Sequence, residues 1–227
     1  MIDPNKKEHA SLNPSDVCHR AFELMHDKQY SDAEKLLVNT MAKTDDDTAV
    51  ALYHSCLGIL FKLQGEYKTA WKHYERAEKL LPNDPALKII SARLLIEQFS
   101  ECDQAIKKAK KVLMMLPDHP VFVHQAYTTI GLAYIKKGAK RQALESLEKS
   151  MHSDFHGFVT AKNVDLALVE GLLRRGGGER ACGVFLKKAL AFAENNDEEV
   201  FVKLFQKLLD AFRADYPAAV STDDTAS

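Results

Sequence analysis

Scarcities define this chain before any motif does. Its 227 residues hold four cysteines, at positions 18, 56, 102 and 182, and no two form a Cys-x-x-Cys pair. Such widely separated cysteines are expected to be small buried thiols in a reducing compartment. No apolar run approaches the roughly 18 residues that a membrane span requires. Residues 1–12 are polar, lacking the apolar centre of a signal peptide, so a cytoplasmic location is expected. A net charge of −1 gives no general attraction to nucleic acid or anionic lipid. Catalytic signatures are missing too: there is no Gly-x-Ser-x-Gly and no His-Glu-x-x-His. Gly176-Gly177-Gly178 is followed by Glu179-Arg180, where a phosphate loop needs Lys-Ser or Lys-Thr. Asp45-Asp46-Asp47 lacks the glycine and distal glutamate of a calcium loop and is expected to cap a helix instead.

Histidines invite a metal reading and do not sustain it. His152 and His156 are four apart but fall where a helix should end. His19 and His26 share a helix face with no third ligand placed beside them, and His54 and Cys56, two apart, point to different sides. We therefore expect no metal, no cofactor and no enzymatic activity.

What the chain does have is charge unevenly placed and a strong helical pattern. Residues 1–50 carry six Lys/Arg against ten Asp/Glu, and residues 196–227 three against seven, which leaves residues 51–195 at net +7. A basic body between acidic ends favours an acidic or mixed-charge partner. The run Lys107, Lys108, Lys110, Lys111 lies mostly opposite Ile106, Ala109 and Leu113 on a helix and has no interleaved aromatics. It reads as a solvated face, not a nucleic-acid site.

The most informative stretch is 51–85. Leu57, Gly58 and Phe61 precede Gly65; Ala70, Tyr74 and Ala77 follow it; Pro82 closes the unit. Small residues at Gly58, Ala70 and Ala77 allow close backbone approach, and Gly65 suits the positive φ of a helix C-terminus. The same two registers recur. Ala33, Ala70, Ala105, Ala143 and Ala181 stand at intervals of 37, 35, 38 and 38 residues, and Ala21, Gly58, Arg93, Gly131 and Val169 repeat those intervals. Arg93 breaks the small-residue rule of its register. It implies either a splayed helix pair or an arginine lying flat with its head in solvent. At the start of the chain, Asn13 and Pro14 open a helix, and Ser31 with Glu34 offers a capping box for a second.

These residues resemble the tetratricopeptide repeat (TPR), a helix–turn–helix unit of about 34 residues. The resemblance implies an all-α, right-handed TPR-type solenoid of five repeats, at about 14–47, 51–84, 86–119, 124–157 and 162–195. A flexible arm (1–12) precedes them. A capping helix (196–215) follows, bearing Val200, Phe201, Leu204, Phe205, Leu208, Leu209 and Phe212, and then a disordered tail (216–227). That helix face is wide enough to suggest a homodimer contact as the alternative to a plain end cap.

In the TPR family, the first helices of successive repeats line a concave groove that commonly holds a peptide. Carried onto this sequence, the groove slots fall at Phe22, Met25, Ile59, Lys62, Leu63, Leu94 and Gln98. They continue through Gln125, Thr128, Leu132, Ile135, Lys136, Asn163, Glu170 and Arg174. The family's carboxylate clamp needs Lys, Asn, Asn, Lys and Arg where this chain has Cys18, Phe22, Ile59, Ile90 and Leu94, so that clamp is absent. The expectation is a groove for an apolar or amphipathic protein segment, with Lys62, Lys136 and Arg174 meeting its acidic groups. Two rival readings remain: a secretion-type TPR chaperone holding an exported client, and a scaffold that self-assembles through the solenoid ends.

Overall fold

Helix starts and stops follow the local chemistry closely. In the computed structural model, which describes residues 13–151 and 153–220, the Asn13 side chain accepts the Ser15 N–H at 3.0 Å and Pro14 begins α1 (Pro14–His26). Asp46 caps α3 (Asp47–Leu63) by accepting from the Thr48 N–H at 3.0 Å. Between them lies α2 (Tyr30–Met41), and α4 (Tyr67–Leu80) ends just before Pro82. The chain divides into two units, at Leu87 and Lys88.

The turn inside each helix pair is built from backbone. After α1 the Gln29 N–H returns to the Leu24 carbonyl at 2.8 Å and the Lys28 N–H to Met25 at 3.1 Å, with Lys28 at φ 61°. After α3, Glu66 bonds to Phe61 and Gly65 to Lys62 in the same way, with Gly65 at φ 80°. This double closure satisfies the last carbonyls of one helix and starts the next immediately. It also removes the need for the capping box expected at Ser31 and Glu34. Helix α2 begins at Tyr30, Gln29 stands at its N-cap without a side-chain bond, and Ser31 sits exposed inside the first turn.

In the first unit, α1, α2 and α3 enclose Val17, Ala21, Leu24, Met25, Ala33, Leu37, Tyr53 and Leu57. Helix α4 packs along α3, and the close approach is made at Gly58: a methyl group there would lie 2.3 Å from the Tyr74 ring. Leu87 is buried with Ala51 and Ala77.

The second unit departs from regularity twice. Helix α5 (Pro85–Leu94) gives way to a π-turn at Leu95–Phe99, and the closing bond from Glu101 reaches six residues back, to Leu95, where its counterparts reach five. A π-turn holds one extra residue. Then come α6 (Cys102–Met115), α7 (Pro120–Lys136) and α8 (Lys140–Ser150). The link to α9 (Ala167–Arg174) is irregular, with one 3-10 turn at Ala161–Asn163, so the first helix expected for the fifth repeat is only eight residues long. Positive φ at Asp154 and Phe155 turns that link inward. Phe155 and Phe158 then meet edge to face at 5.4 Å, and Phe155 meets Phe185 at 5.3 Å.

Helix α10 (Glu179–Asn195) places Cys182, not Ala181, at its fully buried position, one residue beyond the expected register. The three glycines before it, at φ 67°, 147° and 83°, absorb the shift. Helix α11 (Glu199–Asp215) buries Phe205, Leu209 and Phe212 in the core that α10 also lines, leaving Val200 and Leu204 exposed. The tail expected to be disordered from residue 216 instead starts with a short helix, α12 (Pro217–Val220), packed on α10 and α11. The Tyr216 ring lies 5.2 Å from Phe212. Residues 1–12 and 221–227, expected to be a flexible arm and a disordered tail, lie outside the described residues, as does His152.

Candidate binding cleft

The residue that broke the repeat pattern lines a cleft in the second unit. Arg93 is half-buried and forms an ion pair with Asp165, 72 positions along the chain. Its guanidinium is therefore not free in solvent, as one of the two alternatives raised from the sequence would have it. Asp165 does three things at once. One carboxylate oxygen meets Arg93, the other accepts the Ala167 N–H at 2.9 Å to start α9, and its backbone N–H donates to His124 Nε2 at 2.8 Å. With Nε2 accepting, the proton of His124 sits on Nδ1 and is donated to the Ser150 carbonyl at 2.8 Å. Burial among phenylalanines holds the His124 pKa below its usual value, so the ring stays neutral.

That network fixes α9 beside α7 and leaves a hollow of about 300 Å³ between them and the π-turn. Its floor is apolar, from Ile96, Leu132, Ile135, Ala167 and Gly171, and its rim carries Lys136, Arg174 and Arg175 with Glu97 and Glu170. Gly171 lets α9 lie close against α7 at this floor. A methyl group there would lie 2.9 Å from the Ile135 side chain. A shallower polar hollow beside it includes Gln125, Asn163 and Glu170. Among the described residues no group of three His, Cys, Asp or Glu side chains could hold a metal ion, and no helix is long and apolar enough to cross a membrane.

Comparison with known proteins bears on fold alone. No protein-family model matches this sequence, and no curated protein matches it. Solved structures do match. The type IV pilus biogenesis factor PilW superposes with a TM-score of 0.62 at 16% identity over 94% of each chain. PilF of Pseudomonas aeruginosa gives 0.58 at 14% identity, covering 90% of this chain and 92% of that one. A kinesin-light-chain protein of Podosopora anserina with nearly identical TPR-like repeats gives 0.55 at 14%, covering 90% and 96%. This chain has the TPR fold. It is an all-α solenoid.

Onto this TPR scaffold the sequence-derived groove residues fall unevenly. Leu132, Ile135, Lys136, Glu170 and Arg174 come together around the cleft, while Gln125, Asn163 and Glu170 share the shallower hollow beside it. Three expected groove residues are core instead. Met25 is buried within the α1–α3 cluster. Leu94 is fully buried because Arg93 takes the cleft-facing position and turns its neighbour inward, so that Ile96 and Glu97 line the cleft and Gln98 does not. Thr128 is fully buried one turn beyond His124, where the segment carrying Asp165 is tied down to α7. Asn163 lies on the 3-10 turn, not on an α-helix. In the first unit Phe22 and Leu63 are exposed, and Ile59 is half-buried against the core with Lys62 half-buried beside it in sequence.

Sequence reasoning did not select Ile96, Glu97, Gly171 or Arg175. The one available signal was Arg93 in a small-residue slot, which marked the place without giving its partner.

Proposed function

We propose that the chain is a non-enzymatic protein–protein interaction module that grips an apolar or amphipathic protein segment in the cleft between the π-turn, α7 and α9. The observation that carries this reading is the combination of an apolar floor with a cationic rim, Lys136, Arg174 and Arg175, on exposed side chains. An apolar floor supplies affinity by removing partner side chains from water, and the rim selects for acidic neighbours. Micromolar affinity, about −8 kcal/mol, suits a transient scaffold contact of this size. Four free cysteines, all buried, support a reducing compartment such as the cytoplasm.

The test is affinity capture from native lysate with the wild-type chain and with Lys136→Glu combined with Arg174→Glu. Both side chains are exposed, so the variant should keep its helical circular dichroism and lose the partners that the wild type retains. An identical partner set from both proteins would overturn the reading.

A further inference from the structure

The cleft has a counterpart on the other flank of α9, and the two together specify the shape of what they hold. This second hollow, about 310 Å³, has Val169, Leu173 and Leu186 on one side and Leu208 and Phe212 of α11 on the other. Glu170 and Arg174 border both hollows. Helix geometry explains why. At 3.6 residues per turn, Ala167, Gly171 and Arg175 lie almost opposite Leu166, Val169 and Leu173 around α9, and Glu170 and Arg174 fall midway. Helix α9 is thus a ridge with a charged crest and an apolar valley on each side.

Valleys on the two sides of one helix are separated by about one interhelical distance, roughly 8–10 Å. A partner filling both must present two apolar side chains on one face at that spacing. In a β-strand, same-face residues are about 6.6 Å or about 13 Å apart, at separations of two and four. In polyproline II, with three residues per turn and about 3.1 Å rise, residues i and i+3 share a face at about 9.3 Å. Polyproline II also leaves its backbone groups without internal hydrogen bonds, so the crest can serve them: Glu170 accepts a backbone N–H and Arg174 donates to a carbonyl. A partner helix, with its own backbone satisfied, gains nothing from that crest.

Charge sets the direction. The first valley is bordered by Lys136, Arg174 and Arg175 against Glu97 and Glu170, with Arg93 committed to Asp165. The second has Arg174 against Glu170 and Asp215.

Resting on the reading that the cleft holds a protein segment, we propose that its occupant is a polyproline-II stretch. That stretch carries two large apolar side chains three residues apart, one over each valley, with an acidic residue beside the anchor that enters the α7–α9 valley.

The test uses fluorescein-labelled 14-residue peptides of alanine and serine, a background that permits helix, strand and polyproline II alike, carrying two leucines at separations of two, three, four or seven and one glutamate beside one leucine. Polarisation is read with the full chain. Binding at separation three should be at least tenfold tighter than at two, four or seven, and Lys136→Glu with Arg175→Glu should weaken it about tenfold. A maximum at seven would mean a helical partner, and a maximum at two or four a strand. Either would overturn this inference while leaving the cleft as the binding site. Equal binding at all separations, unaffected by the substitutions, would overturn the inference and the cleft reading together.

Discussion

Helix α3 runs for 17 residues and meets α4 at a glycine; α9 runs for eight and meets α10 where the Cys182 thiol lies 4.0 Å from the Val169 carbonyl. The two helices are held by different means. The α3–α4 pair relies on a glycine on one helix, a tyrosine ring on the other, and a backbone-closed turn between them. The α9 helix relies on contacts found once, namely the Arg93–Asp165 ion pair, the cap on Ala167 and the bond from Asp165 to His124. A shortened helix gives up packing area. Charged and polar contacts replace it, and the same shortening opens the valleys that flank α9. The departure from the repeat is where the cleft is.

The comparison is broken most directly at Gly58. Its added methyl group would meet the Tyr74 ring at 2.3, 2.6 and 2.8 Å, and Tyr74 is fully buried, so the ring has nowhere to swing. Gly58→Ala should cost about 3 kcal/mol, at the upper end of overpacking penalties, read as a fall in the urea unfolding midpoint. At Gly131 the same change meets the branched end of Leu168, at 2.4, 2.7 and 3.2 Å; Leu168 is fully buried too, but an aliphatic side chain with several rotamers clears more easily than a rigid ring. Gly131→Ala should cost less than half as much. Equal losses would mean that the regular pair is not the more rigid of the two.

The matching test at α9 is Asp165→Ala. It strands the half-buried Arg93 charge and removes the cap from Ala167, and should cost about 2 kcal/mol, below a fully buried pair because both side chains keep some solvent. Replacing both partners, Arg93→Met with Asp165→Asn, leaves no charge unpaired and keeps a capping oxygen, so it should recover most of the loss. If the double variant is no better than the single one, the ion pair does not organise this helix.

How much of this could be read in the sequence follows the same division. Repetition is visible because periodic packing constrains residue type at fixed intervals. The turn residues with positive φ, Lys28, Gly65, Ser100, Gly138 and Gly176, keep the repeat intervals even where glycine is absent. Glycine alone would have disclosed three of them. The backbone motif tolerates lysine or serine there, so composition hides it. Leu132, Ile135, Lys136, Glu170 and Arg174 were legible as cleft residues because they sit on regular helix faces. Leu94 and Thr128 were misplaced because an arginine reaching a distant aspartate, and a link folding back on α7, are long-range events with no periodic trace. The same is true of Cys182 replacing Ala181, since three glycines in a row permit a register shift that no local pattern announces.

The smallest expected effect concerns protons. Across α3 and α4, His54 Nδ1 and His73 Nδ1 lie 3.0 Å apart, so one ring donates to the other and both are neutral. Burial lowers both pKa values, that of His73 to about 4, with neighbouring His54 and Arg76 adding to the depression. An unfolded histidine titrates near 6.5. Between pH 6.5 and about 4 the unfolded chain therefore binds protons that the folded pair refuses. Stability from this pair is complete above pH 6.5 and declines as the pH falls towards 4. His73→Phe removes one of the two titrating rings while keeping an aromatic against Phe61, which stacks on His73 at 5.2 Å. The urea midpoint should drop between pH 7 and pH 5 in the wild type and drop less in the variant. His124 is buried neutral as well, so the variant retains part of the slope through the second unit. A wild-type midpoint that does not move between those two pH values would mean that the two imidazoles are not held as a neutral pair.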